Sequence, residues 1–542
     1  MADVSSGIQR WAAPQASNAA RPGGGQDHLG LNGIDASGLL AQLLPNINVL
    51  TVHPRYQSFY LFLLDEYWRR GERQASAKGF SKFLRPREYF HSLANFYCQQ
   101  PTHPAGDYGS VIGSRRTSGW AKRRDPIYPF RENYIGNALG GYGYYYRSVA
   151  LGLDLIAGPR FGSLPLDKPT KRGAELAEAF REAVHDTEYF RKYFDADEVP
   201  RAVIEEYAQV SCLCRTSDPA TPDQRLLLDA FTTAGLAANA RRAGLRTFLD
   251  IANQTEGHSL DDERFRQLIY FGQTDEGATY RPSPKLAKEV GRWRIWQARE
   301  YLSVGLSAIF ALINDWGVGQ GGMVRALPLA ALWDHLRIHA SFSELSRDLG
   351  PGHPRIELNS AFSTLVDWQA KHLNLGSPDL PDSLGEHRLA QLLRFEPRST
   401  TRLALAGLLL VTAIGRRWRE TDAGEDFFDA GAGDDISIRQ IGKWVQSASE
   451  RRMTVEEALR ELCGRVIRLH LNVALSKLPE DRFRFFRELG GFRFGGFDIG
   501  VGFVSSRYLA LATHAHELAL CGDPSLPVHP LTSLGQQFLK EA

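Results

Sequence analysis

Residues 147–180, RSVALGLDLIAGPRFGSLPLDKPTKRGAELAEAF, carry the reading that decides the fold. Tyr145, Val149 and Leu153 are spaced by four, which places them on one helical face. Gly158 and Pro159 break that run, and the residues that follow read as a short extended return. Thr170 then offers an N-cap oxygen, Gly173 follows three positions on, and Glu175 lies early in the next helix, where the dipole favours a carboxylate. The same shape recurs at residues 507–539, RYLALATHAHELALCGDPSLPVHPLTSLGQQFL. There a helix meets a Gly-Asp-Pro turn, an extended piece, and a helix capped by Thr532 with Gly535 three on.

Helix, short glycine-bearing loop, extended return and T-x-x-G helix is the sequence shape of a winged helix, so two winged-helix-like modules are expected. Outward from them the pattern is helical. Leu39, Leu40, Leu43 and Leu44 form a short apolar face ended by Pro45. Tyr56, Phe59, Tyr60, Leu63, Leu64 and Tyr67 recur at three and four residues, as in an amphipathic helix on a core, with Arg69 and Arg70 at its C-terminal end. A second helix is expected over 86–100, with Pro86 in its first turn. Residues 223–240, 245–253, 286–313 and 327–340 repeat the helical spacing. The clearest strand signal lies in 482–504, with its repeated glycines. The expected class is mainly α: a multi-domain helical protein with two winged-helix-like (α+β) modules. The expected divisions are a disordered tail at 1–27, an N-terminal domain at 28–210, a central helical domain at 211–400 and a C-terminal domain at 401–542. Linkers are expected at 215–224 and 376–387.

The chain has 542 residues, 43% hydrophobic and 23% charged, with 64 basic against 62 acidic side chains. These values exclude a wholly disordered chain, and a net charge of +2 gives no global field that would draw it to nucleic acid or anionic lipid. Attraction of that kind has to come from local patches. Of the basic residues 52 are arginine, the side chain suited to bidentate phosphate contacts and ring stacking. Five cysteines without framework spacing imply a reducing compartment, and no signal peptide is visible, so a cytoplasmic protein is expected. The most apolar runs, 301–313 and 403–414, fall short of the ~20 residues of a membrane span and read as buried helices.

No phosphate-binding loop, H-E-x-x-H, paired C-x-x-C or G-x-S-x-G motif is present, so no reaction and no cofactor are implied. Cys212 and Cys214 form a C-x-C without a second pair, which reads as buried thiols with no metal. His335 and His339 would share a helical face but lack a third ligand, whereas His514 and His516, two apart, point to different faces. Asp422, Glu425, Asp426, Asp429, Asp434 and Asp435 could hold Mg²⁺ for phosphodiester chemistry, against the reading of a solvated loop. The most suggestive stretch lies within the glycine-rich region 102–143. Arg115, Arg116, Lys122, Arg123, Arg124 and Arg131 interleave with Trp120, Tyr128 and Phe130, offering phosphate contacts and rings for bases.

The stretch LGLNGIDASGLLAQLLPNINVLTVHPRYQSFYLFLLDEYW, with FLRPREYFHSLA, VIGSRR and GGYGYYYRSVALGLDL, resembles large uncharacterised bacterial proteins of phage-defence-type gene clusters. The resemblance covers mainly residues 29–183. It departs from their pattern at Tyr56-Gln57, where two aromatics would follow the arginine. It implies a setting, antiviral defence alongside partner proteins, and no reaction. The expected function is a non-catalytic nucleic-acid-binding or scaffold subunit that contacts duplex nucleic acid and no membrane. A metal-dependent nuclease using the acidic stretch and a purely protein-binding adaptor remain the alternatives.

Overall fold

Among the described residues helix accounts for 62% and strand for 6%. The sequence writes several helix starts directly. Ser76, Thr170, Ser437 and Thr532 each accept a hydrogen bond from the backbone N–H three residues on. Such a cap stabilises a helix by about 1 kcal/mol. The computed structural model describes residues 27–31, 38–71, 75–101, 103, 110–159, 166–349, 356–372, 385–418, 437–476 and 483–541. Nearly all of the expected 1–27 tail, the acidic stretch 422–435 and most of the 376–387 linker lie outside these residues.

The chain forms two compact units, each discontinuous in sequence: Leu43–Asp262 with Arg507–Ala542, and Glu263–Ser506 with the described part of Ala16–Gln42. This division corrects the reading of consecutive domains. The expected boundary at 210 falls inside the helix Arg201–Ser211, and the C-terminal hairpin module belongs to the same unit as the first.

In the first unit the aromatic helix Tyr56–Arg70 buries Tyr56, Phe59, Tyr60, Leu63 and Leu64 of the expected stripe but leaves Tyr67 half-buried. It also buries the rest of residues 56–64 and Trp68, so its burial is wider than one face. Phe59 and Phe62 meet Phe180 of the helix Lys171–Val184 at 5.8 and 5.4 Å between ring centroids. The next helix spans Ala77–Asn95, so Pro86 sits in its interior and the expected start at Pro86 is corrected. The Ser76 cap fixes the start nine residues earlier, and buried Phe80, Leu84, Tyr89, Phe90 and Leu93 outweigh the missing N–H.

Both T-x-x-G segments fold alike. In the first, the strands Ile156–Ala157 and Lys168–Pro169 pair antiparallel ahead of the helix Lys171–Val184. In the second, Cys521 bridges Leu531 ahead of the helix Ser533–Lys540. The correspondence extends to single hydrogen bonds. Leu155 N–H donates to Ala150 O at 2.9 Å, and Thr170 N–H donates back to Leu155 O at 3.0 Å; Leu520 pairs with Ala515 O and Thr532 at 2.9 and 3.1 Å. Asp154 and Ala519, one before each of these leucines, take φ of 52° and 59°. The threonine hydroxyls donate to their carbonyls at 2.7 and 2.6 Å.

The second unit is built on the helix Ala287–Gly319, which is long and apolar enough to cross a membrane by length and composition, with 78% of its most apolar window buried inside the protein. It packs against Gly407–Arg417, where a Cβ at Gly305 would lie 2.8 Å from Val411 Cγ2. The run 403–414 is buried, as expected. The strand signal in 482–504 becomes a hairpin of Phe485–Glu488 with Gly491–Phe494. Glu386 pairs with Arg417 and accepts from Tyr270 Oη at 3.1 Å, a buried polar link inside this unit.

A Cβ on Gly173 would stand 1.9 Å from Leu155 O, and one on Gly535 would stand 1.9 Å from Leu520 O. We expect Gly173→Ala and Gly535→Ala each to destabilise by about 1–3 kcal/mol, the usual range for overpacking. Denaturant titration of both variants beside Gly257→Ala, which has open space for a Cβ but a φ of 103°, separates the steric part from backbone strain.

Candidate nucleic-acid interface and a thiol–imidazole cluster

The arginine-bearing stretch is a helix, Ser114–Arg123, where the sequence shows only a polar, glycine-rich region. Gly113, at φ 77°, starts it, and Thr117 and Ala121 point inward. Thr117 Oγ1 lies 2.8 Å from Ser92 Oγ, and Tyr97 Oη donates to Ala121 O at 2.9 Å, so the helix is seated on the end of Ala77–Asn95. With that face fixed inward, Arg115, Arg116, Gly119, Lys122 and Arg123 form the exposed face. Arg124 follows at the C-cap with φ 53°, a left-handed conformation that costs a non-glycine residue about 1–2 kcal/mol. Its carbonyl is held by Arg201 Nη1 at 2.6 Å.

Among the described residues Arg115, Arg123 and Arg124 have no carboxylate at ion-pair distance, and Arg116 donates to the carbonyl of Asn133. Among the described residues nothing lies within 4 Å of where a Gly119 Cβ would sit, so the middle of this face is open to a close approach. Tyr144 is 37% exposed, and its ring meets that of Tyr145 at 4.4 Å. Burial, and then the neighbouring Tyr144, push the Tyr145 phenol up, while the positive charge of Arg115 pulls it down. Arg115 is therefore within electrostatic reach of Tyr145, which lies just ahead of the helix Arg147–Gly152 of the first hairpin module.

Arg131 has a different position from the other five basic residues. Its guanidinium lies over the Trp120 ring at 5.2 Å, and Trp120 packs edge-on to Tyr89 at 5.7 Å. It holds the aromatic side of the basic helix. Tyr128 is likewise internal, hydrogen-bonded to Tyr97, and Phe130 packs on Tyr89. Of the stretch's own rings Tyr128 is buried, whereas Trp120 and Phe130 are half-buried and pack on Tyr89; Tyr144 is exposed, with the half-buried Tyr145 against it.

The fold also gathers residues that sequence reading kept apart. Cys98 and His103, just beyond the helix Ala77–Asn95, meet Cys212 and Cys214, just beyond Arg201–Ser211. Cys98 Sγ is 3.7 Å from Cys214 Sγ, Cys214 Sγ is 3.5 Å from Cys212 Sγ, and Cys212 Sγ is 3.3 Å from His103 Nδ1. Hydrogen bonds from the Cys212 and Cys214 thiols hold the Cys98 thiol well below its usual range, whereas burial pushes Cys212 up. The missing second pair for Cys212-x-Cys214 is Cys98-x₄-His103, a weak signal because over a hundred residues separate the two halves.

The histidine pairs are less productive. The His335 and His339 rings lie 4.3 Å apart, His335 Nε2 is 3.2 Å from Thr400 Oγ1, and no third ligand joins them among the described residues. His514 is buried with Nδ1 2.7 Å from Ala510 O, and His516 Nδ1 lies 3.2 Å from Cys521 O. Comparison with protein-family models, curated proteins and solved structures finds no match to this chain.

Replacing Arg131 by Ala should lower the melting temperature, because it removes a cation–π contact of about 0.5–2 kcal/mol from the seat of the helix. The pair Arg115→Ala and Arg123→Ala should leave stability within about 0.5 kcal/mol of the parent, as for exposed sites without partners. Thermal melts of the two proteins side by side check the distinction.

Proposed function

We propose that the chain is a non-catalytic, cytoplasmic nucleic-acid-binding subunit of bacterial antiviral defence, which holds duplex nucleic acid for enzymes encoded elsewhere. The observation that carries the binding reading is the exposed basic face of Ser114–Arg123. It presents Arg115, Arg116, Lys122 and Arg123 around a glycine that is open among the described residues, and Arg115 acts electrostatically on the half-buried Tyr145, whose ring meets the exposed Tyr144. Arginines at this spacing would neutralise successive phosphates, and the glycine would let the backbone of the ligand approach the helix axis. The two hairpin modules, each a helix, a short antiparallel pair and a Thr-capped helix, support a winged-helix-like reading. On that reading the helix Arg147–Gly152 would be the recognition helix, with the basic helix preceding it in the chain. The defence setting rests on the sequence resemblance over residues 29–183.

Binding through phosphates releases counterions, so affinity should fall steeply with salt. The triple variant Arg115→Ala, Arg123→Ala and Arg124→Ala should weaken binding almost equally on every duplex DNA. Its log–log salt slope should shrink by ~0.9 for each lost phosphate contact. Gly119→Glu should abolish binding without lowering the melting temperature, since a residue other than glycine favours an exposed helix by up to ~1 kcal/mol. Titration of labelled duplexes at several salt concentrations measures both. Unchanged affinity and slope in the triple variant would remove this face from the interface, and Mg²⁺-dependent cleavage by the purified chain would overturn the non-catalytic reading.

A further inference from the structure

We propose that Cys98, His103, Cys212 and Cys214 form a closed structural zinc site. The four ligand atoms all lie within 4.8 Å of one another. Tetrahedral zinc, with Zn–S about 2.3 Å and Zn–N about 2.0 Å, requires edges of about 3.8 Å between sulfurs and about 3.5 Å between sulfur and nitrogen. Three of the six edges are 3.7 and 3.5 Å between sulfurs and 3.3 Å from sulfur to His103 Nδ1, and the other three lie within 4.8 Å. The set is therefore arranged around a point that a zinc ion would fill with little movement. Three thiolates and an imidazole match zinc in softness, and four protein ligands leave no open position for water, which makes the site structural rather than catalytic. Binding forms three Zn–S bonds, replacing the S–H bond of each ligand that is still a thiol. Those protons go to solvent, His103 binds as the neutral imidazole, and the occupied centre of Zn²⁺ and three thiolates carries a net charge of −1.

The surroundings hold the ligands in place. Leu213 N–H donates to Asn95 Oδ1 at 3.0 Å, and Arg55 Nη1 donates to Cys212 O at 2.6 Å, which fixes the turn carrying Cys212 and Cys214. On the other side Gln209 Nε2 donates to Tyr97 O at 3.3 Å, and Arg215 Nη1 donates to Gln100 Oε1 at 3.0 Å. These bonds press the Cys98 segment onto the Arg201–Ser211 helix end. Cys212 and Cys214 are buried and Cys98 is half-buried, so the ion would enter from the Cys98–His103 side. A disulfide is the competing state, and any one pairing of these thiols strands the third with the imidazole. The zinc would tie together two helix ends more than a hundred residues apart and anchor the chain just ahead of the basic helix. The inference does not depend on nucleic-acid binding.

The test uses the full chain, purified without chelator, with metal content measured by plasma mass spectrometry. About one zinc per chain is expected, as for a single closed site. Cys98→Ser and His103→Ala should lose most of it, while Cys463→Ser and Cys521→Ser, buried thiols elsewhere, should keep it. Reconstitution with Co²⁺ should give the visible bands of a tetrahedral ion and a thiolate charge-transfer band, both missing in Cys98→Ser. Should Cys212→Ser fail to fold, stripping the parent with a mercurial and following released zinc with a chromogenic chelator still reads the site. The Arg115/Arg123/Arg124 triple variant should retain full zinc, which separates this proposal from the binding reading. A stable chain without zinc that takes up no Co²⁺, iron in place of zinc, a disulfide within the cluster, or equal metal loss in Cys463→Ser would each overturn it.

Discussion

The guanidinium of Arg55, shielded from water, meets the equally buried carboxylate of Asp223 at 3.2 and 3.3 Å and donates to the carbonyls of Val210 and Cys212 at 2.9 and 2.6 Å. Taking both charges out of water costs several kcal/mol per ion, and the arrangement is tolerable only because the hydrogen bonds are made. That requirement brings three segments together: the start of the aromatic helix, the end of Arg201–Ser211, and the start of Gln224–Thr233. Two residues earlier, His53 Nδ1 meets Glu517 Oε1 at 2.8 Å, again with both groups buried. Residues 53–55 thus hold the turn that carries Cys212 and Cys214 and also the helix of the C-terminal hairpin module. Loss of either member of the Arg55–Asp223 pair would leave an uncompensated charge worth about 3–5 kcal/mol.

The two hairpin modules show how little sequence is needed to repeat a local structure. A threonine cap, a glycine at its third position, and a leucine whose carbonyl fills the space of the absent Cβ recur in both. The surrounding side chains differ. Trp68 Nε1 donates to Asp167 O near the first module, and Arg246 Nε donates to Phe538 O near the second. Backbone geometry is shared because the same close approach forces it; packing is specific to each place.

Arginine is abundant in this chain, so most of it is uninformative. Arg181 meets Asp65, Glu66 and Glu178, Arg402 meets Asp348, and Arg337 meets Asp334 and Glu456. Against that background the basic face of Ser114–Arg123 stands out by its partners rather than by its composition. Its inner side is bound to the fold by Thr117, Ala121, Trp120 and Arg131, and its outer side offers charge to solvent. A rigid seat beneath exposed cations is what a phosphate-binding helix requires, because the entropy of ordering the backbone is already spent.

The sequence alone determined the helical class, the aromatic core helix, the buried character of 301–313 and 403–414, the strand signal in 482–504 and the Thr-capped repeat. Each of these rests on interactions between near neighbours, which spacing displays. It also marked Arg115, Arg116, Lys122, Arg123 and Arg124, though not that their stretch is a helix, because Gly113 and Gly119 read as breakers and the inward pull of Thr117 and Ala121 depends on Ser92 and Tyr97. The tertiary structure decided what depends on distance along the chain: two units each discontinuous in sequence, Pro86 inside a helix held by its packing, Arg131 over Trp120, and the meeting of Cys98 and His103 with Cys212 and Cys214. A local pattern carries the hydrogen bonds and apolar faces of one element. Which elements then share a buried charge or a set of sulfurs is settled only when desolvation and packing bring distant segments together.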